Sequence, residues 1–182
     1  MRRLWGLLAV AIATSAVAQL VNPPPAYNNF EEKEVWQEFK DVDPPGFPLQ
    51  ENLREFDVGP ASANRYFIDA STLSVGSDDI VRFVLVVKTS GGATNVSFEG
   101  INCRDFTWKL YATGRSDGTW VKSRAARSEW RRYDNNVVNR YHAELSRNFF
   151  CPGGDNIATA EEGRQALRFG KHPDVKKREG AP

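Results

Sequence analysis

Residues 80–88, IVRFVLVVK, constrain this chain more than any other stretch. β-Branched and aromatic side chains dominate it, and these favour a pleated, extended backbone. Successive side chains of a strand alternate, so Val81, Phe83, Leu85 and Val87 project to one face. Val84 and Val86 make much of the other face apolar too. A strand apolar on both sides belongs in the middle of a sheet, covered above and below.

The flanking segments supply its neighbours. Arg65 to Asp69 (RYFID) follows the turn-prone pair Gly59-Pro60 and reads as a strand, and Leu73 with Val75 makes a stub ending at Gly76. Ser90-Gly91-Gly92-Ala93 is a loop of hairpin length. Thr94 to Ile101 then places Val96 and Phe98 on one side and Asn95, Ser97 and Glu99 on the other. Asp105 to Gly114 alternates Phe106, Trp108, Leu110 and Ala112. Ser116-Asp117-Gly118 is a hairpin signal, because Asp-Gly tolerates positive φ, and Thr119 to Lys122 returns antiparallel. These connections are too short to carry crossover helices, so the sheet is expected to be an antiparallel meander.

The two ends of the chain change character. Phe30, Val35, Trp36 and Phe39 among Glu and Lys predict a short surface helix over 30–40, stopped by the proline-rich run 44–48. In the last third Val138, Tyr141, His142, Leu145 and Phe149 recur at helical spacing on one face, with Arg140, Glu144 and Arg147 opposite. That helix stops at Cys151-Pro152-Gly153-Gly154. Thr159 and Glu162 form a capping box for a second helix that ends before Gly170. Residues 171–182 are charged and poor in apolar side chains, which predicts a disordered tail. The expected fold is α+β: one domain over 30–170, an antiparallel meander sheet packed by two C-terminal helices, with one disulfide.

The N-terminus gives an address. Arg2 and Arg3 precede an apolar run, Leu4 to Ile12, and Ala16-Val17-Ala18 is an A-x-A processing site ahead of Gln19, the pattern of a secretory signal peptide over 1–18. The run is shorter than the roughly 20 residues that span a bilayer. Residues 19–29, with three consecutive prolines, read as a flexible linker. Processing would leave 164 of the 182 residues, enough for one domain with a hydrophobic core, and no integral membrane segment in the mature chain. It would lower the basic residues from 24 to 22 against 23 acidic ones. Such a balanced charge argues against nucleic acid as a partner, which requires a concentrated basic face.

Cys103 and Cys151 are the two cysteines, both in the mature part. In an oxidising compartment an even count reads as a disulfide, and two cysteines allow one intramolecular connectivity. No C-x-x-C, P-loop, dinucleotide G-x-G-x-x-G or G-x-S-x-G elbow occurs. The pairs Gly91-Gly92 and Gly153-Gly154 read as turns, and nothing in the sequence indicates a cofactor or a metal. His142 is the one histidine in the expected folded region, since His172 falls in the tail. It lies in the middle of the apolar face of its helix, so it reads as a packing residue. The catalytic alternative is a hydrolase in which His142 works with Glu129 or Asp117.

Residues 115–132 concentrate two tryptophans among arginines. Arg115, Asp117, Trp120, Trp130 and Arg131, with Arg124, Arg127 and Arg132 nearby, have the composition of an interaction surface. The competing interpretation is that both tryptophans are core aromatics with arginine stems lying over them.

The blocks RYFIDASTLSVG, VRFVLVVKTSGGATNVSFEGINC, YATGRSDGTW, SEWRRYDNNVVNRYHAELSRNFFCPGG and AEEGRQALR, in this order over residues 50–168, resemble an uncharacterised bacterial family named after a cryptic neisserial protein. That resemblance implies an exported envelope protein. Some members are lipoproteins, whereas this sequence has no lipobox cysteine, so a soluble periplasmic product is expected. The reading is of a non-enzymatic binding or envelope-accessory module whose partner is an unknown protein or envelope component.

Overall fold

The apolar stretch at 80–88 is the spine of an antiparallel sheet. The structure, a computed structural model, describes residues 36–39, 42–124, 129–133 and 140–180. The expected signal peptide and linker, Arg127 and Val138 lie outside the described residues.

The strands are β1 (Leu53–Phe56), β2 (Arg65–Asp69), β3 (Ser74–Val75), β4 (Ile80–Lys88), β5 (Thr94–Asn102), β6 (Thr107–Gly114), β7 (Trp120–Lys122) and β8 (Arg131–Arg132). Among the described residues they form one sheet in the order β1-β2-β4-β5-β6-β7, with β3 beside the start of β4 and β8 beside the start of β6. Each pairing is antiparallel. β4 and β5 pair along their full length, from Ile80 opposite Asn102 to Lys88 opposite Thr94. The hairpin closes with the Thr89 amide donating to the Ala93 carbonyl at 2.8 Å. β1 and β8 had no sequence signal: each is short and charged, and pairing to a preformed neighbour supplies the order that its own composition lacks.

Both faces of β4 are covered, as its composition demands. Val81, Phe83 and Leu85 pack with Ile68, Ile101 and Trp108 beneath the C-terminal helices. These are α1 (Arg140–Leu145), running on through a π-helical turn (Ser146–Phe150), and α2 (Ala160–Phe169). Thr159 accepts the Glu162 amide at 3.2 Å, and Gly170 ends α2 with φ +79°, so the expected cap and stop are both present. The disulfide joins Cys103, in the β5–β6 turn, to Cys151 at the end of the π turn, with Cα atoms 5.5 Å apart.

On the opposite face Val84, Val86, Val96, Phe98 and Ala112 pack against Val42 and Phe47. What covers this side is therefore an extended strap. Trp36 to Phe39 is irregular, where the sequence predicts part of a helix; the remainder of that predicted helix lies outside the described residues. The physical reason is tertiary. The Phe39 amide donates to the Asp78 carboxylate at 3.1 Å, so the β3–β4 turn satisfies a backbone group that a helix would otherwise pair, and the Trp36 indole adds a bond to the Asp78 carbonyl at 2.6 Å.

Two further expectations change. Glu99 stands opposite Leu110 while Phe98 stands opposite Ala112, so Tyr111 is an extra residue on β6. This bulge ends the strict alternation: Trp108 and Leu110 face the helices, and Ala112 faces the strap. The tail expected to be disordered carries α3 (Pro173–Gly180). His172 caps it, its carbonyl accepting the Val175 and Lys176 amides at 3.1 Å each and its Nδ1 accepting the Asp174 amide at 3.2 Å. Pro173 at the first helical position and the burial of Val175 complete the anchor.

Candidate functional site

His142 lies on the packed face of α1, as the helical spacing predicts, and it is fully buried. Its ring stacks on Trp108 with centroids 3.9 Å apart, and Nε2 lies 2.8 Å from Glu99 Oε2. The Ser97 hydroxyl donates to the other Glu99 oxygen at 2.6 Å. Glu99 is thus the carboxylate facing His142, rather than Glu129 or Asp117, both of which are exposed. The β6 bulge places Leu110 opposite Glu99, and α1 closes over the pair. A sealed imidazole between aromatic rings cannot touch a substrate in this arrangement. Its geometry is that of a buried polar tie between β5 and α1.

An open cavity lies nearby at the disulfide-pinned end of the helices. It has a volume of ≈ 400 Å³ and is lined by Phe106, Arg132, Tyr133, Ala143, Ser146, Arg147, Cys151, Gly153, Gly154 and Arg178. Arg132 comes from β8, Arg147 from the π turn and Arg178 from α3, so three separate elements each contribute an arginine to the lining. No carboxylate is among the described lining residues. Arg147 lies 3.9 Å from Glu144, one turn before it in the helix. Gly153 and Gly154 have φ of +88° and +105°, and a Cβ built on Gly154 would meet nothing within 4 Å. Two consecutive left-handed residues demand glycine, and the missing side chains leave that wall open.

The cavity has an apolar side as well. The Phe106 and Tyr133 rings meet edge to face at 6.3 Å, and the Tyr133 amide donates to the Phe106 carbonyl at 3.2 Å. Burial pushes the Tyr133 phenol up, with its 2.6 Å hydrogen bond to Ser146 opposing, so it stays protonated at neutral pH. Permanent positive charge beside a partly apolar wall is suited to holding an anionic small molecule.

The sequence-predicted interaction residues do not gather in one place. Trp120 stands opposite Gly114 and Arg131 opposite Trp108. Six positions along β6 separate the two, roughly 20 Å. The Trp120 indole donates to the Pro45 carbonyl at 2.9 Å and its ring packs on Phe47. Trp130 donates to Glu38 at 3.0 Å, and its ring meets Trp36 edge on at 5.9 Å. Both tryptophans thus bind the strap. Arg131 lies over the Trp108 ring at 5.8 Å. Asp117 sits in the β6–β7 turn started by Arg115, where the Thr119 hydroxyl and amide hold its carboxyl below the usual range.

Strap attachment concentrates on two acidic residues. Glu38 accepts from Lys109 at 2.7 Å, from Tyr111 at 2.8 Å and from Trp130. Burial alone would raise Asp78, yet hydrogen bonds from Arg82 and the Phe39 amide hold its carboxyl below the usual range. The Arg82–Asp78 pair is itself almost fully buried.

Of the cavity residues, the sequence pointed to Arg132 as one arginine of the cluster and treated Gly153-Gly154 as a turn. Arg178 was missed because it falls in the supposed tail. A His-Pro-Asp run at 172–174, a helix-start pattern, is the signal that could have found it. A family model described as the CNP1-like family matches residues 31–168. Comparison with curated proteins and with solved structures finds no match.

Proposed function

This chain belongs to the CNP1-like family, and we propose that it acts as an exported, non-enzymatic binding module that takes an anionic ligand in the arginine-lined cavity. The convergence of Arg132, Arg147 and Arg178 from three elements carries this reading. Arginine keeps its charge at any physiological pH and presents several fixed donors, which suits carboxylate or phosphate groups. A volume of ≈ 400 Å³ falls within the range of small-molecule sites, about 300–1,000 Å³. The sealed position of His142 supports binding over hydrolysis.

The periplasm is the proposed address. The signal-like residues 1–18 support it, and so does the Cys103–Cys151 bond, because disulfides persist in oxidising compartments. The partner is then an envelope component or solute bearing a phosphate or carboxylate. Cell fractionation with mass measurement tests the address: a periplasmic product starting at Gln19 is expected, and an intact Met1 overturns it. Calorimetric titration with inorganic phosphate at fixed ionic strength tests the site. Saturable binding is expected, and Arg132→Ala with Arg178→Ala should abolish it while leaving the circular dichroism spectrum unchanged. Wild-type protein that takes up no phosphate at millimolar concentration refutes the reading.

A further inference from the structure

Two non-glycine residues among those described have positive φ, Asp79 at +60° and Phe106 at +55°. Asp79 is of a type that tolerates this region, since a short polar side chain can bond locally. Phe106 is not. A bulky aromatic in the left-handed region is an outlier that persists when its surroundings hold it there. The holding contacts are in view: Thr107 opposite Arg132 starts the β6–β8 pairing, and the Tyr133 amide bonds the Phe106 carbonyl at 3.2 Å. The strained backbone does not bury the ring, which is 48% exposed. It directs the ring to the cavity wall, edge to face with Tyr133, beside Arg132. Neither backbone preference nor core packing accounts for phenylalanine at 106, and an asparagine or glycine would make the same turn without strain.

Building on the anion-binding reading, we infer that the ligand carries its anionic group on an aromatic ring, with Phe106 as the residue that selects for the ring. The Phe106–Tyr133 corner offers an apolar face for offset or edge-to-face stacking. The guanidinium groups of Arg132, Arg147 and Arg178 supply the charge on the polar side of the same cavity. A bare inorganic anion engages the second part alone, so affinity should rise when a ring is attached.

Calorimetry with phenyl phosphate and inorganic phosphate, at constant ionic strength on the purified protein, tests this. Phenyl phosphate should bind the wild type roughly five- to ten-fold more tightly, the scale of one aromatic contact. Phe106→Gly and Phe106→Asn should bring the affinities of the two ligands to parity. Melting temperatures of both variants should equal or exceed that of the wild type, because either residue takes positive φ more readily. Equal affinities in the wild type, or a ring preference that survives both substitutions, overturn the inference and leave the anion site standing. Failure of the wild type to bind either ligand removes both.

Discussion

Replacing His142 by alanine should destabilise the fold more than truncation of an ordinary core residue. The imidazole has no solvent exposure and packs against the Trp108 ring at 3.9 Å and the Tyr141 ring at 4.0 Å. Loss of a fully buried side chain of that size costs about 2–4 kcal/mol through lost contacts and the space left behind. The change also strands Glu99, which is 3% exposed and would keep only the Ser97 hydroxyl as a partner. An unsatisfied buried polar group adds about 1–3 kcal/mol, and breaking a buried pair by removing one member costs about 3–5 kcal/mol in all. Against a total stability of about 5–15 kcal/mol for a domain, that is roughly a fifth at the least. In urea unfolding followed by tryptophan fluorescence, the midpoint should fall by about 1.5–2.5 M at a slope near 2 kcal/mol/M. The double change Glu99→Leu with His142→Leu should lose less than His142→Ala alone, since it leaves no polar group stranded. A loss below about 1 kcal/mol in His142→Ala at unchanged slope, or a double variant worse than the single one, would refute this account.

Removing the disulfide by Cys103→Ala with Cys151→Ala opens a cross-link spanning 48 residues. It should lower stability by about 4 kcal/mol in the chain-entropy model, measured by urea unfolding, with circular dichroism showing the fold class retained. Acid should loosen the strap. Asp78 is held below its ordinary carboxylate value by Arg82 and the Phe39 amide, so its contribution is complete above the unfolded value of about 3.9 and is lost as pH falls towards the lower folded value. Tryptophan emission from Trp36 and Trp130 should shift red over that interval below pH 4, and Asp78→Asn should weaken the pH dependence of the shift while Glu38 still holds Trp130.

The strand order of the centre was legible because local chemistry decides it. Apart from Arg82, the residues of β4 alternate into two apolar faces that a central placement buries, and Gly92 and Gly118 take the positive φ that their turns require. The second helix and its cap were legible for the same reason: Thr159, Glu162 and Gly170 act within one turn of their own backbone. The disulfide followed from there being two cysteines in a chain with an export pattern. Other features depend on partners distant in sequence. The strap is extended because Asp78 waits in the β3–β4 turn and Lys109 on β6, 39 and 71 residues beyond Phe39 and Glu38. The β6 bulge depends on how β5 pairs with it, and it decides that Ala112 turns away from Trp108. Glu99 finds His142 across 43 residues, which no periodicity records. The cavity is the extreme case. Its arginines sit at 132, 147 and 178, in a strand, a π turn and a helix, and side-chain charge acts through space while sequence pattern reports only neighbours along the chain.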